Sequence, residues 1–406
     1  MILRPMYMNR LKPFVNTPFV KILTGVRRCG KSTILLMLIE ELKKQGVSEN
    51  QIIHFNFDSM KYDNIKDRKL LYKVISEKIK PNVKNYIFLD EVQEIENWER
   101  TVNSIMTDFD ADIYVTGSNS KMLSSEISTY LTGRYVSINV YPLSFSEYLD
   151  FKKSYSNENS FNRKDDFAHY LKFGGFPAVN LRGFTQDEAY TIVKDIYNST
   201  IFKDIVQRNK IRKIELLERV VKFVFDNVGK TFSAKSISDY LKNQNRNMDV
   251  ETVYNYLSFL EKAFIIYRCS RYDLQGKEIL KTQEKFFLAD PAFKYSVLGY
   301  SPKSIAAMLE NIVYLELKRR GYEVFVGKAA LNQEIDFTAI KKNEKVYIQV
   351  CREISSEKTE KREYSNLLNI KDNYPKYLLR TDEFSEGNYE GIKTMHIADF
   401  LLLDEF

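Results

Sequence analysis

The chain has 406 residues, 44% apolar and 28% charged, with a net charge of +7, a profile that fits two or three folded domains and excludes a disordered or fibrous protein. The longest uninterrupted apolar run, residues 34–39, is far short of the ~20 residues a spanning helix needs, and residues 1–20 lack the order of a signal peptide, so the expectation is a cytoplasmic protein with no membrane partner. Three cysteines and three histidines exclude a disulfide framework and a His-based metal cage, while the mild positive charge permits a nucleic-acid partner without demanding one.

In chain order, short β-branched or aromatic runs at residues 19–24, 51–57, 86–90, 112–117 and 136–140 alternate with amphipathic stretches. This predicts a parallel α/β sheet with crossover helices. The first four runs end in, or are followed at once by, a polar residue or glycine at their carboxyl edge, where an open sheet of this class holds its ligand. Residues 144–211 turn helical, broken by Phe173-Gly174-Gly175-Phe176-Pro177, and read as a small lid. Between residues 231 and 293 the order is helix, turn, helix and two strands, with Ile237, Leu241, Val253, Leu257 and Leu260 at helical spacing. That is the order of a winged helix. From residue 304 a helix leads into three strands, another helix and a last strand, a second and separate α/β unit. The predicted division is a nucleotide-binding core over 1–143, the lid over 144–211, the winged helix over 212–300 and a C-terminal α/β domain over 301–406.

Gly25-Val26-Arg27-Arg28-Cys29-Gly30-Lys31-Ser32-Thr33 fits G-x-x-x-x-G-K-[ST] and lies between a predicted strand and a predicted helix. Its glycines let backbone N–H groups converge on a polyphosphate at a helix N-terminus, Lys31 bridges the outer phosphates, and the Ser32 hydroxyl is a Mg²⁺ ligand. Tyr86-Ile87-Phe88-Leu89-Asp90-Glu91 is an apolar strand closing on two carboxylates. Asp90 is suited to the Mg²⁺ shell and Glu91 to polarising an attacking water. A further strand ends in Thr116-Gly117-Ser118-Asn119, where Asn119, ahead of Ser118, is the candidate γ-phosphate sensor. Arg134 is a candidate arginine finger for a neighbouring subunit. Cys29, beside a helix N-terminus and flanked by Arg27 and Arg28, is either a small side chain tolerated in the loop or a thiol that favours its thiolate, whose oxidation would block ATP.

The set GVRRCGKST, YIFLDEVQ, VTGSNS, LTGRY, YPLSFSEYL and FGGFPAV, followed by YNSTIFKDIVQR, resembles the archaeal and bacterial AAA+-like ATPases that join an AAA-type domain (AAA_14) to a C-terminal DUF4143 domain. The resemblance spans almost the whole chain. It implies a five-stranded core with an extra strand between the phosphate-loop and acidic-pair strands, a helical lid, a winged helix and a restriction-nuclease-like C-terminal fold. It also implies ATP rather than GTP, in keeping with the lack of an N-K-x-D string.

In the winged helix, Glu251, Tyr254, Asn255, Ser258 and Lys262 are expected to face outward from the second helix, a face of mixed sign. Arg268, Arg271 and Lys277, with Tyr267 and Tyr272, make the ribbon the better candidate for DNA, since cations neutralise phosphates and aromatics stack on bases. The last unit carries Glu310, then Glu334-Ile335-Asp336, then Gln349-Val350-Cys351. This order resembles the metal-dependent restriction-type nucleases, whose final strand carries Glu-x-Lys. An amide and a thiol in those places predict a nuclease fold without robust nuclease activity. The reading is therefore a Mg²⁺-dependent ATPase, DNA-associated through its winged helix and able to form a homo-oligomer. The alternative is a nucleotide-gated switch or scaffold that binds a protein partner.

Overall fold

The computed structural model describes residues 2–119, 122, 130–131, 133–156, 161–246, 248–274, 276, 278–328, 333–353, 357–382 and 386–405. The chain divides into two units, the first of residues 1–141 with 262–264, the second of 142–261 with 265–406.

The first unit opens with α1 (Pro5–Leu11) and is built on β1 (Val20–Thr24), α2 (Lys31–Lys44), β2 (Ile52–Asn56), α3 (Arg68–Ser76), β3 (Asn85–Asp90), α4 (Trp98–Asp108), β4 (Ala111–Gly117) and β5 (Tyr135–Asn139). The strands form one parallel sheet in the order β2-β3-β4-β1-β5. Each lies within a residue of its predicted limits, because β1 and β3 are buried along their whole length and such strands read as continuous apolar runs. On one face Ile22, Phe55, Leu89 and Val115 pack with Val102 and Ile105 of α4. Burial of each such side chain contributes about 1.5–3 kcal/mol. The extra strand expected between the phosphate-loop and acidic-pair strands is β4. It sets the tips of β1 and β3 on either side of its own.

The second unit continues with α5 (Phe145–Tyr155), α6 (Arg163–Phe173), α7 (Gln186–Ser199), α8 (Ile214–Asp226), β6 (Thr231–Phe232), α9 (Ala234–Asn243), α10 (Val250–Lys262), β7 (Ile266–Asp273), β8 (Glu278–Leu288) and α11 (Pro291–Leu298). It ends with α12 (Ile305–Arg319), β9 (Glu323–Lys328), β10 (Glu334–Lys341), β11 (Glu344–Val350), α13 (Glu357–Leu368), β12 (Lys376–Arg380), β13 (Gly387–Tyr389), β14 (Ile392–His396) and α14 (Ile397–Leu402). Thr200–Gln207 carries α7 on as a π-helix.

The expected helical lid, residues 144–211, falls in the second unit. There Arg163 of α6 pairs with Asp399 of α14 at 2.7 Å. Asp290 accepts hydrogen bonds from the Gly175 and Ala292 N–H groups, so the Gly174-Gly175 break is pinned to the start of α11. The boundary predicted at residue 300 divides a single sheet. Strands β6, β8 and β7 are antiparallel neighbours, and β7 pairs in parallel with β9 through Arg271↔Val326, giving nine strands in the order β13-β14-β12-β11-β10-β9-β7-β8-β6. Sequence periodicity reports which face of a strand is buried and is silent on its neighbour, so this fusion left no local mark.

Candidate nucleotide site

Residues 25–30 join β1 to α2 and bend back on themselves. Gly25 has φ +144°, and a Cβ there would stand 2.0 Å from the Val140 carbonyl oxygen; Gly30, the residue before α2, has φ +102°. Only glycine meets both demands. The loop is also held from outside. Buried Arg4 donates to the Cys29 carbonyl at 2.7 Å and to the Tyr141 carbonyl at 3.0 Å, and its guanidinium lies over the Tyr7 ring at 4.5 Å.

At the head of α2, Lys31 is buried, and its Nζ donates to the Gly25 and Val26 carbonyls at 3.1 and 3.2 Å, with Glu91 Oε1 at 3.8 Å. The Ser32 hydroxyl donates to Asp90 Oδ1 at 3.0 Å, and the Thr116 hydroxyl donates to the same oxygen. Burial raises the Asp90 pKa above the usual carboxylate range, opposed by these two hydroxyl donors. Glu91 follows in the left-handed region at φ 54°, ψ 44°, and its N–H donates to Thr116 Oγ1 at 2.9 Å. The turn in chain direction separates the two carboxylates: Asp90 faces Ser32, and Glu91 faces Lys31.

Four predicted elements thus converge at the carboxyl edge of the sheet: Gly25 to Thr33, Asp90, Glu91 and the tip of β4. Ser118 and Asn119 are both buried at that tip. Arg134 is elsewhere. It precedes β5, its carbonyl accepts from the Val20 N–H, and its guanidinium bonds Asn103 Oδ1 at 2.7 Å. That is the amino edge of the sheet, one strand length or about 17 Å from the phosphate loop.

The thiolate alternative for Cys29 is corrected. Its thiol is fully buried, donates to the Val140 carbonyl at 3.2 Å, and is pushed up in pKa by burial, which outweighs the charges of Lys31 and Arg4. Sequence reasoning counted the neighbouring cations and had no measure of desolvation.

Three contributors escaped the sequence reading. Arg4 sits before the first strand with no pattern to announce it. Thr116 lies inside a quoted motif but was read as strand. Gln93 lies in YIFLDEVQ; its Nε2 donates to Glu91 Oε2 at 2.5 Å and approaches Ser118 Oγ at 3.5 Å, and its Oε1 is buried with no hydrogen-bond partner among the described residues.

The ribbon candidates fare differently. Arg268 is neutralised by Glu261 at 2.8 Å and Glu284 at 2.9 Å, Arg271 is half-buried, Tyr272 packs on Phe325, and Lys277 lies outside the described residues. On α10, Glu251, Tyr254 and Asn255 are exposed as predicted, while Ser258 and Lys262 are half-buried.

A five-stranded sheet in this order, with a glycine loop opening a helix and an acidic pair closing the strand beyond β4, defines a P-loop nucleotide-binding protein of the AAA type. Residues 17–149 match the AAA domain family, and residues 164–304 match a domain of unknown function, DUF8612, where the resemblance implied DUF4143. An uncharacterized protein of Haemophilus influenzae is 39% identical over 99% of both chains. The uncharacterized protein MJ1544 of Methanocaldococcus jannaschii is 32% identical over 84% of this chain and 76% of its own. The chain belongs to the same family as these two proteins and carries its AAA domain in the first third. The Walker-type ATPase PABY2304 of Pyrococcus abyssi shares the fold, with a TM-score of 0.52 and 15% identity over 73% of this chain and 96% of its own. Among the described residues no helix is long and apolar enough to cross a membrane.

Proposed function

We propose that the protein binds ATP with Mg²⁺ and hydrolyses it to ADP and phosphate. The observation that carries this reading is the pairing of Ser32 with Asp90 at 3.0 Å beside Lys31 and Glu91 at 3.8 Å. Ser32 and Asp90 offer the hard oxygen donors that Mg²⁺ takes, with Asp90 acting directly or through a water. The ion supplies neutralisation of phosphate charge. Backbone N–H groups of residues 25–33 cradle the phosphates, and Lys31 exchanges its carbonyl partners for phosphate oxygens. Glu91, held off axis by its left-handed backbone, orients and deprotonates the water. Asn119 contacts the γ-phosphate, and Arg134 serves a neighbour's site in a homo-oligomer. The test is steady-state ATP hydrolysis, with Lys31→Ala and Glu91→Gln as blanks. Turnover surviving in both would exclude the site.

The helix, strand, helix, helix and hairpin of residues 214–288 we read as a winged helix, and α12, β9 to β11, α13 and β12 as a restriction-nuclease-like fold of low or no activity. We place DNA association here, through backbone phosphates. Exposed Arg212 and Lys213 line a cleft at the start of α8 with Asn245, Glu215 and Arg246, the last two paired at 3.5 Å, and Arg212 and Lys213 replace the neutralised Arg268 as the leading cations. Addition of single- or double-stranded DNA is expected to stimulate turnover in a manner that fades with salt. The neutralised ribbon favours the second reading, a nucleotide-gated switch binding a protein partner. Its mark is turnover blind to DNA, with oligomer size differing between ATP and ADP.

A further inference from the structure

The C-terminal half of the second unit places three carboxylates around one point. Glu310 comes from α12, Glu334 and Asp336 from β10. On the restriction-nuclease-like reading proposed above, on which this inference rests, a divalent ion would be held on such a set, and the residues present do not fit that ion. The point is taken by the side chain of Lys285, which reaches in from β8. Its ammonium lies 2.8 Å from Glu334, 3.2 Å from Glu310 and 3.7 Å from Asp336, and the side chain is only 4% exposed.

The remaining donors are turned away from the centre. Asp336 Oδ2 accepts the Val350 N–H at 2.8 Å. Gln349, where such nucleases carry a carboxylate, accepts the Asp336 N–H at 3.3 Å and donates to Glu363 at 3.0 Å. Among the described residues no three of His, Cys, Asp and Glu are arranged to hold a metal.

We infer that Lys285 is the resident cation of this centre, an internal ammonium in place of the divalent ion, which closes the acidic site to metal and fastens β8 to α12 and β10. An ammonium suits the task physically. It neutralises one charge and donates three hydrogen bonds, so it links carboxylates from separate elements, but it offers neither an open coordination position nor a bound water of lowered pKa. The charge of the catalytic ion is thus supplied from β8, a strand outside the nuclease-like core.

The test is Mn²⁺ binding by the full chain without nucleotide, followed by electron paramagnetic resonance, in wild type, Asp336→Asn, Lys285→Met and Lys285→Met/Asp336→Asn, with circular dichroism to report folding. Wild type is expected to bind no ion that Asp336→Asn abolishes. Lys285→Met is expected to gain about one Mn²⁺ per chain, lost again in the double variant. If Lys285→Met folds poorly, millimolar Mn²⁺ is expected to restore it. Mn²⁺ held by wild type through Asp336, or plasmid cleavage by wild type that Asp336→Ala removes, would overturn the inference. So would a Lys285→Met protein that neither binds Mn²⁺ nor is restored by it.

Discussion

Gly25→Ala isolates what the phosphate loop demands of its first residue. The new methyl would stand 2.0 Å from the Val140 carbonyl oxygen, where no real Cβ comes within 3.0 Å, so the loop must withdraw by about 1 Å. A displacement of that size at a pre-positioned site costs on the order of 100-fold in turnover. The positive φ adds a backbone cost of about 1–2 kcal/mol. Gly46 separates the two effects, because its φ is +93° but a Cβ there would meet nothing within 4 Å. Gly46→Ala should therefore lose a comparable backbone term and keep full turnover. The assay is steady-state ATP hydrolysis, paired with thermal melts of both variants. If Gly25→Ala turned over ATP within threefold of wild type, or if Gly46→Ala lost turnover equally, the steric account of the loop would be wrong.

Gln93→Leu keeps the bulk of the side chain but frees the Glu91 carboxylate; kcat should fall roughly 10–100-fold with ATP affinity unchanged, and a matching rise in Kd would instead make Gln93 a binding residue. Cys29, a buried protonated thiol, should resist peroxide and thiol-blocking reagents in the folded chain, and ATP binding should survive both; rapid labelling at neutral pH would contradict its burial. Burial, together with the charge of Asp336, pushes Glu310 up to about 8 from an ordinary 4.5, against the opposing pull of the Lys285 ammonium. A carboxyl whose folded pKa is raised makes its contribution in full below the unfolded value and loses it as pH climbs through the folded one. Stability of the second unit should thus decline between about pH 5 and 8, by a few kcal/mol at most, and Glu310→Gln should flatten the slope. Urea unfolding at a series of pH values reads this, and equal slopes in the two proteins would refute it.

Much of the first unit was legible because its determinants are local. Five β-branched or aromatic strands, a glycine loop and an acidic pair are written in consecutive residues, and the sheet order then fixes their meeting point. What escaped depends on partners distant in sequence. Arg4 acts on Cys29 and Tyr141, and Lys285 acts on carboxylates 25 or more residues further on; each looks like an ordinary cation in its own neighbourhood. The thiolate alternative for Cys29 failed for a related reason, since a thiol's ionisation follows the water it loses as much as the cations beside it. The ribbon arginine shows the same limit: Arg268 was counted as a free charge, and Glu261 and Glu284 cancel it.

The pairing of β7 with β9 bears on how this chain can be divided in the laboratory. A fragment ended near residue 300 would strip the partner from Arg271, Tyr272 and Asp273, and one begun near residue 301 would bare the other side of the same ladder at Val326, Gly327 and Lys328. Both pieces would carry an unprotected strand edge, the usual template for chains to join edge to edge and precipitate. Residues 142–406 should therefore be expressed without a cut, and the insolubility of a shorter piece would speak for the severed ladder rather than against the stability of either half.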